Sequence, residues 1–559
     1  MQVYKAPVES YIEWLKALGY SEQEYDLNTV RALLQAAAEF AEQDLLPTNA
    51  KGDVVGCEFD QQHSTVKLPD DFKNLYQRYR QQGFASAGGS QQFGGAAMPL
   101  PIVLAFVEFM SAGNMAFSLG PMLTPGACQA IEFAGTQKQK EFYLPKMTSG
   151  AWSGTMCLTE SHCGTDLGLI RTKATPSGDH YIINGDKIWI TYGEHDLTEN
   201  IVHLVLAKLP DAPKGSKGIS MFIVPKILAD GTRNSVYCTG LESKLGQHAA
   251  PTCFMNFDNA QGYLLGAVNS GLKNMFVMMN EARLGVGVSG LALSEIAYQT
   301  ALAFAQDRRQ SRSLNPKRND AEHAADCILV HPDVRHQLLG VKATNLAMRG
   351  LVVYVGVLSQ SSLPEDQARL HLLIPVVKSF LSEQGVTNIN ACMQLIGGSG
   401  YVRDWHIEQY WRDARISMIY EGTNGIQALD LIGRKLAGDN GQAMRALMSA
   451  MLADIDATTD VNIAKIARDS YQDLQQATIW LMQHASKDPE QGAAVASEYL
   501  RLVGLNVLAM MWLKMLQHDQ ADVRIATYYF EHILPATKVH LSRIERGKDT
   551  LFLIRDDQL

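Results

Sequence analysis

The spacing of apolar residues changes twice along this 559-residue chain, and this change constrains the fold more than any single motif. From about residue 27 to 150, apolar residues recur at helical spacing, as in residues 33–46 and 72–80. Between about 152 and 266, short runs rich in β-branched and aromatic residues replace them. From Leu272 the helical spacing returns. The order predicts helical, β and again helical domains.

We therefore expect an α+β protein with four domains after an N-terminal arm: an N-terminal helical domain, a central antiparallel β domain, a C-terminal four-helix-type bundle and an extra C-terminal helical domain. The expected bounds are 1–26 for the arm, then 27–151, 152–266, 267–436 and 437–559. Asn184-Gly185, between two predicted strands, is typical of a hairpin turn. The stretch 272–309 lacks proline but contains several glycines, including Gly285, Gly287 and Gly290, which predicts a helix packed closely against another.

Composition excludes several classes of protein. The net charge of −9 argues against a protein that binds nucleic acid along its phosphates. The eight cysteines form no CxxC pair and no zinc-type spacing, so we expect reduced thiols and no metal site. No apolar run approaches the length of a membrane span, and the residues after Met1 lack a signal pattern, which predicts a cytoplasmic protein without a membrane span.

Several motifs occur in a fixed order. They lie at residues 135–146, 156–160, 164–166, 181–191, 308, 394–401, 412–414 and 419–424. Together they resemble the acyl-CoA dehydrogenase family over about residues 30–436. The leader at residues 4–7, the loop at 163–168 and the extra C-terminal domain are similar to the long branch of that family, which includes 3-methylmercaptopropionyl-CoA dehydrogenases.

The resemblance implies FAD-dependent α,β-dehydrogenation of an acyl-CoA thioester to a trans-2-enoyl-CoA. An α-C–H beside a thioester is weakly acidic, so the reaction needs a positioned base. By resemblance that base is Glu421, which is followed by Gly422, so backbone can approach a ligand closely. No dinucleotide fingerprint follows a strand and opens a helix, which argues against NAD.

The resemblance also assigns binding residues. The expected FAD contacts are Met156, Leu158, Thr159, Thr165, Trp189, Ile190, Thr191, Arg308, Gln394, Gly397, Gly398, Thr423 and Asn424. The expected substrate contacts are Thr165, Asn280, Arg283 and Gly422. In the family, the residues matching Arg308 and Gln394 reach the FAD of a neighbouring subunit, which predicts a homodimer. The expected electron acceptor is an electron-transfer flavoprotein.

Alternatives remain open. Some relatives carry the base at the position of Ala282, where this chain has no carboxylate, and the adjacent Glu281 should point elsewhere on a helix. An acyl-CoA oxidase and a DNA-associated stress protein with a similar core are the rival functions. The acyl group, whether 3-methylmercaptopropionyl or a fatty acyl chain, does not follow from the sequence. His162, in a loop that departs from the family pattern, is interpreted as a loop histidine without function.

Overall fold

A computed structural model describes residues 3–518 and 522–559, so Met1 and Gln2 of the expected arm lie outside the described residues. The chain divides into two compact units. One, called the helical unit below, comprises Met1–Ala38, Leu100–Ala112 and Val286–Leu559. The other, called the sheet unit, comprises Glu39–Pro99 and Gly113–Gly285.

The elements follow the predicted order of helices, strands and helices. The helices are α1 Val8–Ala17, α2 Leu27–Glu39, α3 Leu46–Val55, α4 Asp71–Gln81, α5 Leu100–Gly113, α6 Met115–Ala134, α7 Gln137–Thr148, α8 Gly271–Asp307, α9 Pro332–Gln360, α10 Pro364–Ile396, α11 Gly398–Tyr401, α12 Ile407–Arg415, α13 Asn424–Asp430, α14 Gln442–Asp456, α15 Val461–His484, α16 Pro489–Leu516, α17 Val523–Tyr528 and α18 Thr537–Ile544. The strands are β1 Glu58–Asp60, β2 Thr65–Lys67, β3 Trp152–Cys157, β4 Lys173–Ser177, β5 His180–Thr191, β6 Asn200–Lys208, β7 Ile219–Pro225, β8 Val236–Leu241 and β9 Thr252–Leu264. This confirms the α+β fold class, while the expected domain bounds stay predictions.

The sheet unit is built on a seven-stranded sheet in the order β3-β6-β4-β5-β9-β7, with β8 paired to β9. Most pairs are antiparallel, as expected, but β3 runs parallel to β6 along its whole length and β4 meets β6 in a short parallel pairing. The sequence did not indicate the parallel strands, because a run of alternating residues does not encode the direction of its neighbour. Buried residues of β6 and β7 form the core beneath α6 and α7.

The predicted hairpin at Asn184-Gly185 is wrong. Both residues lie inside β5, which continues from His180 to Thr191 and pairs with β4 and β9. The register shifts between Ile183 and Gly185, and Gly185 has φ +149°, so the pair makes a bulge rather than a turn. A Cβ at Gly185 would lie 2.6 Å from the Thr172 hydroxyl, and this close approach explains the glycine.

In the helical unit, α8 packs closely on α10, as the glycines of α8 predicted. A Cβ at Gly287 would lie 2.5 Å from the Val377 carbonyl oxygen, and one at Gly290 would lie 2.8 Å from that of Leu381. The two helices can therefore approach only because these positions lack a side chain. The α10 helix begins at Pro364, because proline fits the first turn of a helix.

A buried charge network crosses the helical unit. Arg349 on α9 donates to Glu108 at 2.6 Å and to Glu295 at 3.1 Å, and the Tyr11 hydroxyl donates to Glu108 at 2.5 Å. Because Tyr11 lies on α1, this network ties the N-terminal helix into the unit. The Trp14 ring lies against Gly350, where a Cβ would be 2.6 Å away.

Within the part of the chain that the structure describes, two helices, α9 and α16, are long and apolar enough to cross a membrane by length and composition, contrary to the expectation that no segment would be. In each, 83% of the apolar window is buried inside the protein, as in the core helix of a folded domain. All eight cysteines are free thiols, as expected, and five of them are buried.

Candidate active site

In the sheet unit, a buried lysine joins two of the segments predicted to contact the cofactor. Lys187 of β5 is fully buried, and its ammonium donates to the Leu158 carbonyl oxygen and to the Glu160 carboxylate, both at 2.9 Å. Beside it, the Ile188 N–H donates to the Thr159 carbonyl oxygen at 2.9 Å. The segment after β3 and the end of β5 are therefore held side by side.

The Glu160 carboxylate accepts hydrogen bonds from several parts of this site. It also accepts hydrogen bonds from the Thr172 hydroxyl at 2.6 Å and the Arg171 N–H at 2.6 Å. Burial alone would raise the pKa of Glu160, but the charge of Lys187 and these donors outweigh burial and lower the pKa to about 2. Glu160 is thus a permanent anion that pairs the buried lysine. Neither Glu160 nor Lys187 was predicted to be functional from the sequence.

Trp189 lies at an irregularity of β5, where the register shifts between Lys187 and Ile190. Its φ of +59° is left-handed, and its side chain is 59% exposed, which is unusual for a large aromatic residue. Ile190, by contrast, is buried, and it pairs with Cys253 of β9. The bulge therefore turns a flat ring outward while its neighbour stays in the core.

The remaining predicted cofactor residues of the sheet unit lie on β3, in the segment after it and at the end of β5. Met156, Leu158, Thr159 and Thr191 are each partly buried. They can therefore be reached by a ligand without any change of the core. Thr165 lies apart from them in the exposed loop that follows Glu160.

The loop after β3 also contains His162 and Cys163. The His162 ring lies 2.9 Å from the Leu169 carbonyl oxygen, a local contact that agrees with a structural loop histidine. Glu160, His162 and Cys163 bring ligand-type atoms within 4.8 Å of one another. Because the Glu160 carboxylate is already paired with the Lys187 ammonium, that ion pair accounts for its position in this group of three side chains.

On α8, Asn280 and Arg283 are neighbours as the helical spacing predicts. The Arg283 guanidinium donates to the Asn280 side-chain oxygen at 3.3 Å and lies over the Phe276 ring at 5.7 Å. Arg283 is buried, so it is not an arginine of the helix surface. Ala282 is also buried, and it supplies no carboxylate at the alternative base position.

Glu281 is the residue of α8 that sequence reasoning underestimated. Among the described residues 3–518 and 522–559, its Oε2 atom is buried without a hydrogen-bond partner. Burial raises the pKa of Glu281 to about 7, far above the ordinary value for a carboxyl. In the sequence Glu281 stands between Asn280 and Ala282, so no local signal marked it as a buried carboxyl.

In the helical unit, Glu421 lies on a short turn between residues 416–418 and α13. Its φ is +59° and that of Gly422 is +84°, two consecutive left-handed residues of which only the second is glycine. Thr423 caps α13 by accepting a hydrogen bond from the Ile426 N–H at 3.3 Å, and Asn424 begins that helix. Glu421 is partly buried, as a base that must reach a substrate requires.

Arg308, Gln394, Gly397 and Gly398 are exposed on the helical unit. A Cβ at either glycine would meet no atom within 4 Å, so the chain there has open space above it. Two arginines close to Arg308 in sequence are not free for an anion. Arg309 donates to Asp320 at 2.7 Å and Arg312 to Asp326 at 3.0 Å, so acidic residues of the same loop neutralise both.

Four family models match the chain in succession. They are the acyl-CoA dehydrogenase N-terminal domain at residues 28–151, the middle domain at 155–260, the C-terminal domain at 269–437 and an acetyl-CoA dehydrogenase C-terminal-like domain at 444–555. The chain is 38% identical to 3-methylmercaptopropionyl-CoA dehydrogenase of Ruegeria pomeroyi over 90% of this chain and 89% of that protein. The chain belongs to the acyl-CoA dehydrogenase family. It is an FAD-dependent oxidoreductase that dehydrogenates acyl-CoA thioesters.

Other members of the family support this placement. The broad-specificity linear acyl-CoA dehydrogenase FadE5 of Mycobacterium tuberculosis is 36% identical over 77% of this chain and 73% of that protein. In fold, the chain is similar to Caenorhabditis elegans ACDH-11 in complex with C11-CoA, with a TM-score of 0.83 at 18% identity, over 99% of this chain and 96% of that one. That similarity extends over the extra C-terminal helices.

The residues of this acyl-CoA dehydrogenase fit FAD. An isoalloxazine ring needs a flat apolar surface, and the exposed indole of Trp189 supplies one. The dinucleotide needs main chain that can be approached closely, and the unobstructed Gly397 and Gly398 supply it. The individual cofactor contacts stay predictions.

Proposed function

We propose that Glu421 is the base of this acyl-CoA dehydrogenase and removes the α-proton of the acyl thioester. Bound FAD would supply the acceptor for the β-hydride, so the protein has to supply only the base and the orientation of the substrate. The C–H electrons of the α-carbon then form the double bond of the trans-2-enoyl-CoA, and the proton stays on the Glu421 carboxyl. The observation that carries the proposal is the left-handed turn, which costs stability and is typical of a functional residue.

The binding residues are proposed as the motifs assigned them. Met156, Leu158, Thr159, Thr165, Trp189, Ile190 and Thr191 contact FAD, together with Arg308, Gln394, Gly397, Gly398, Thr423 and Asn424. Thr165, Asn280, Arg283 and Gly422 contact the acyl-CoA. The partly buried positions beside the Trp189 bulge and the exposed glycines support the cofactor assignments. The Asn280–Arg283 pair supports the assignment of the substrate residues on α8.

Glu281 is the second candidate for the base. Its burial and its pKa of about 7 are suited to proton abstraction near neutral pH. It lies one residue from the alternative base position at Ala282, about 100° around the helix. The matched variants Glu421→Gln and Glu281→Gln separate the two, since each removes one carboxylate and keeps its volume.

The experiment is an anaerobic titration of the yellow protein with a panel of acyl-CoAs, including 3-methylmercaptopropionyl-CoA and straight-chain fatty acyl-CoAs, followed by the bleaching of flavin absorbance. We expect Glu421→Gln to keep FAD and bind acyl-CoA without bleaching, while Glu281→Gln bleaches. The reverse result would assign the base to Glu281. If both variants bleach at the normal rate, neither carboxylate is the base.

The acyl group is proposed to be 3-methylmercaptopropionyl or a fatty acyl chain; the 38% identity to the Ruegeria pomeroyi protein supports the first. We propose an electron-transfer flavoprotein as the acceptor, a homodimer as the assembly and the cytoplasm as the location. Peroxide formation under air without another acceptor would instead favour an oxidase. Salt-sensitive binding of DNA would favour the stress-protein alternative.

A further inference from the structure

The turn that carries Glu421 cannot hold its shape by local preference alone. A left-handed conformation at a residue with a side chain is unfavourable, because Cβ approaches the following carbonyl oxygen. Glu421 has φ +59° and Gly422 has φ +84°, so only one of the two positions has the residue that such a backbone favours. Contacts from elsewhere in the helical unit must therefore stabilise the turn.

Lys378 of α10 supplies the first such contact. Its side chain is buried, and its ammonium donates to the Gly422 carbonyl oxygen at 2.7 Å and to the Asn424 side-chain oxygen at 2.9 Å. Burying an ammonium costs free energy unless it is hydrogen-bonded, so the Lys378 ammonium and its two acceptor oxygens stabilise each other's positions. Asn424 in turn donates to the Ser379 carbonyl oxygen at 3.2 Å, which fixes the turn to α10 at a second point.

Gln427 of α13 supplies the contact from the other side. It is fully buried, and its side-chain amide donates to the Glu421 carbonyl oxygen at 3.2 Å and to the Gly422 carbonyl oxygen at 3.4 Å. The carbonyl groups on both peptide bonds of the left-handed pair thus accept a hydrogen bond from a buried side chain. A rotation of either peptide would leave Lys378 or Gln427 with an unsatisfied buried donor.

We propose that Lys378 and Gln427 form a clamp that positions the base: they hold the Glu421–Gly422 turn left-handed and so aim the Glu421 carboxylate at the α-proton. Both are positioning residues that act through Glu421, and this inference rests on the proposed role of Glu421. Proton abstraction depends steeply on alignment, and a misplacement of about 1 Å reduces the rate on the order of 100-fold. Loss of the clamp therefore slows chemistry more than it weakens substrate binding.

The test compares Lys378→Met with Lys514→Met, both measured as FAD-loaded holoenzyme. Lys514 is a matched control, since it is a partly buried lysine of the same unit that contacts Asp454 at 2.9 Å and has no contact with the turn among the described residues. Stopped-flow bleaching at several concentrations of acyl-CoA gives the limiting rate and the apparent KM. We expect Lys378→Met to reduce the limiting rate about 100-fold with KM within about threefold. Lys514→Met should bleach at the wild-type rate.

Gln427→Met is the second variant, and it tests the clamp if Lys378→Met fails to retain FAD. We expect it to reduce the limiting rate at least about tenfold, again with little change of KM. Lys378→Arg should recover part of the rate, because its guanidinium can donate to the same oxygens. A wild-type limiting rate in FAD-loaded Lys378→Met, or in Gln427→Met, overturns the clamp. So does a fall in rate that only follows the loss of bound FAD.

Glu421→Gln is measured alongside, so that the two hypotheses fail separately. If Glu421→Gln does not bleach while Lys378→Met bleaches normally, the base is right and the clamp is wrong. If Glu421→Gln bleaches normally, the proposed base itself is wrong, whatever the Lys378 and Gln427 variants do.

Discussion

The buried carboxyl of Glu281 predicts how the free energy of unfolding changes with pH. Its carboxyl lies on α8 with Oε2 buried and, within residues 3–518 and 522–559, without a hydrogen-bond partner. Burial raises its pKa from 4.5 to about 7, so the folded protein binds this proton more tightly than the unfolded chain does. Protonated Glu281 therefore makes its full contribution to the free energy of unfolding below pH 4.5. This contribution is lost as the pH rises through 7.

The magnitude follows from the shift. At pH 8 the ionisation of Glu281 costs about 3 kcal/mol, and at pH 5 it costs about 1 kcal/mol or less. Glu281→Gln keeps the volume and removes the charge at every pH. The variant should therefore be more stable than the wild type by about 3 kcal/mol at pH 8 and nearly equal to it at pH 5. The neighbouring Cys128 does not interfere, because burial and the charge of Glu281 raise its pKa to about 12.

Thermal unfolding of the holoenzyme at pH 5 and pH 8 measures the difference. For a unit of this size we expect the Tm of Glu281→Gln to exceed that of the wild type by about 5 °C at pH 8. Glu199→Gln, which changes an exposed carboxylate of the same sheet unit, is the control and should follow the wild type. If Glu281→Gln and wild type lose stability in parallel between pH 5 and 8, Glu281 is solvated or paired, and the reasoning is refuted.

Two further predictions concern the candidate active site. Lys187→Met should lower the free energy of unfolding by about 3 kcal/mol near pH 7, because it leaves the buried Glu160 anion unpaired, and urea denaturation at pH 7 measures this. Gly422→Ala should cost about 1–2 kcal/mol for the left-handed backbone alone. Its Cβ would also lie 2.6 Å from the Gln427 amide nitrogen, so the limiting rate of flavin bleaching should fall too; an unchanged rate would show that the turn tolerates the displacement.

The sequence predicted the large elements because their signals are local. The glycines of α8, for example, predicted its close packing against another helix. The errors arose where the outcome depends on distant partners. Asn184-Gly185 is a turn signal in isolation, but the pairing of β5 with β4 and β9 on either side keeps the strand continuous. The parallel pairing of β3 with β6 is likewise a property of two strands, which neither encodes alone.

The candidate site was predicted from motifs, and motifs name the residues that meet a ligand rather than those that hold them in place. Lys187 and Lys378 were given no role, yet each is a buried ammonium that donates to main-chain carbonyl oxygens beside predicted site residues. A signal for Lys378 did exist, since it is the one charged residue within the apolar run 372–381. A charge in the middle of a buried helix requires a partner, and here the partner is the turn of Glu421.

Trp189 and Glu421 belong to a small set of non-glycine residues with left-handed backbone. Both were predicted to be functional, both have side chains, and both adopt left-handed backbone, with φ +59° in each case. Intrinsic preference opposes this conformation for tryptophan and glutamate, so the surrounding structure has to impose it. In the sheet unit the left-handed residue coincides with the register shift of β5, and in the helical unit Lys378 and Gln427 donate to the carbonyl oxygens of the turn. On the proposed role of Glu421, substitution of Lys378 should alter chemistry without removing a ligand contact.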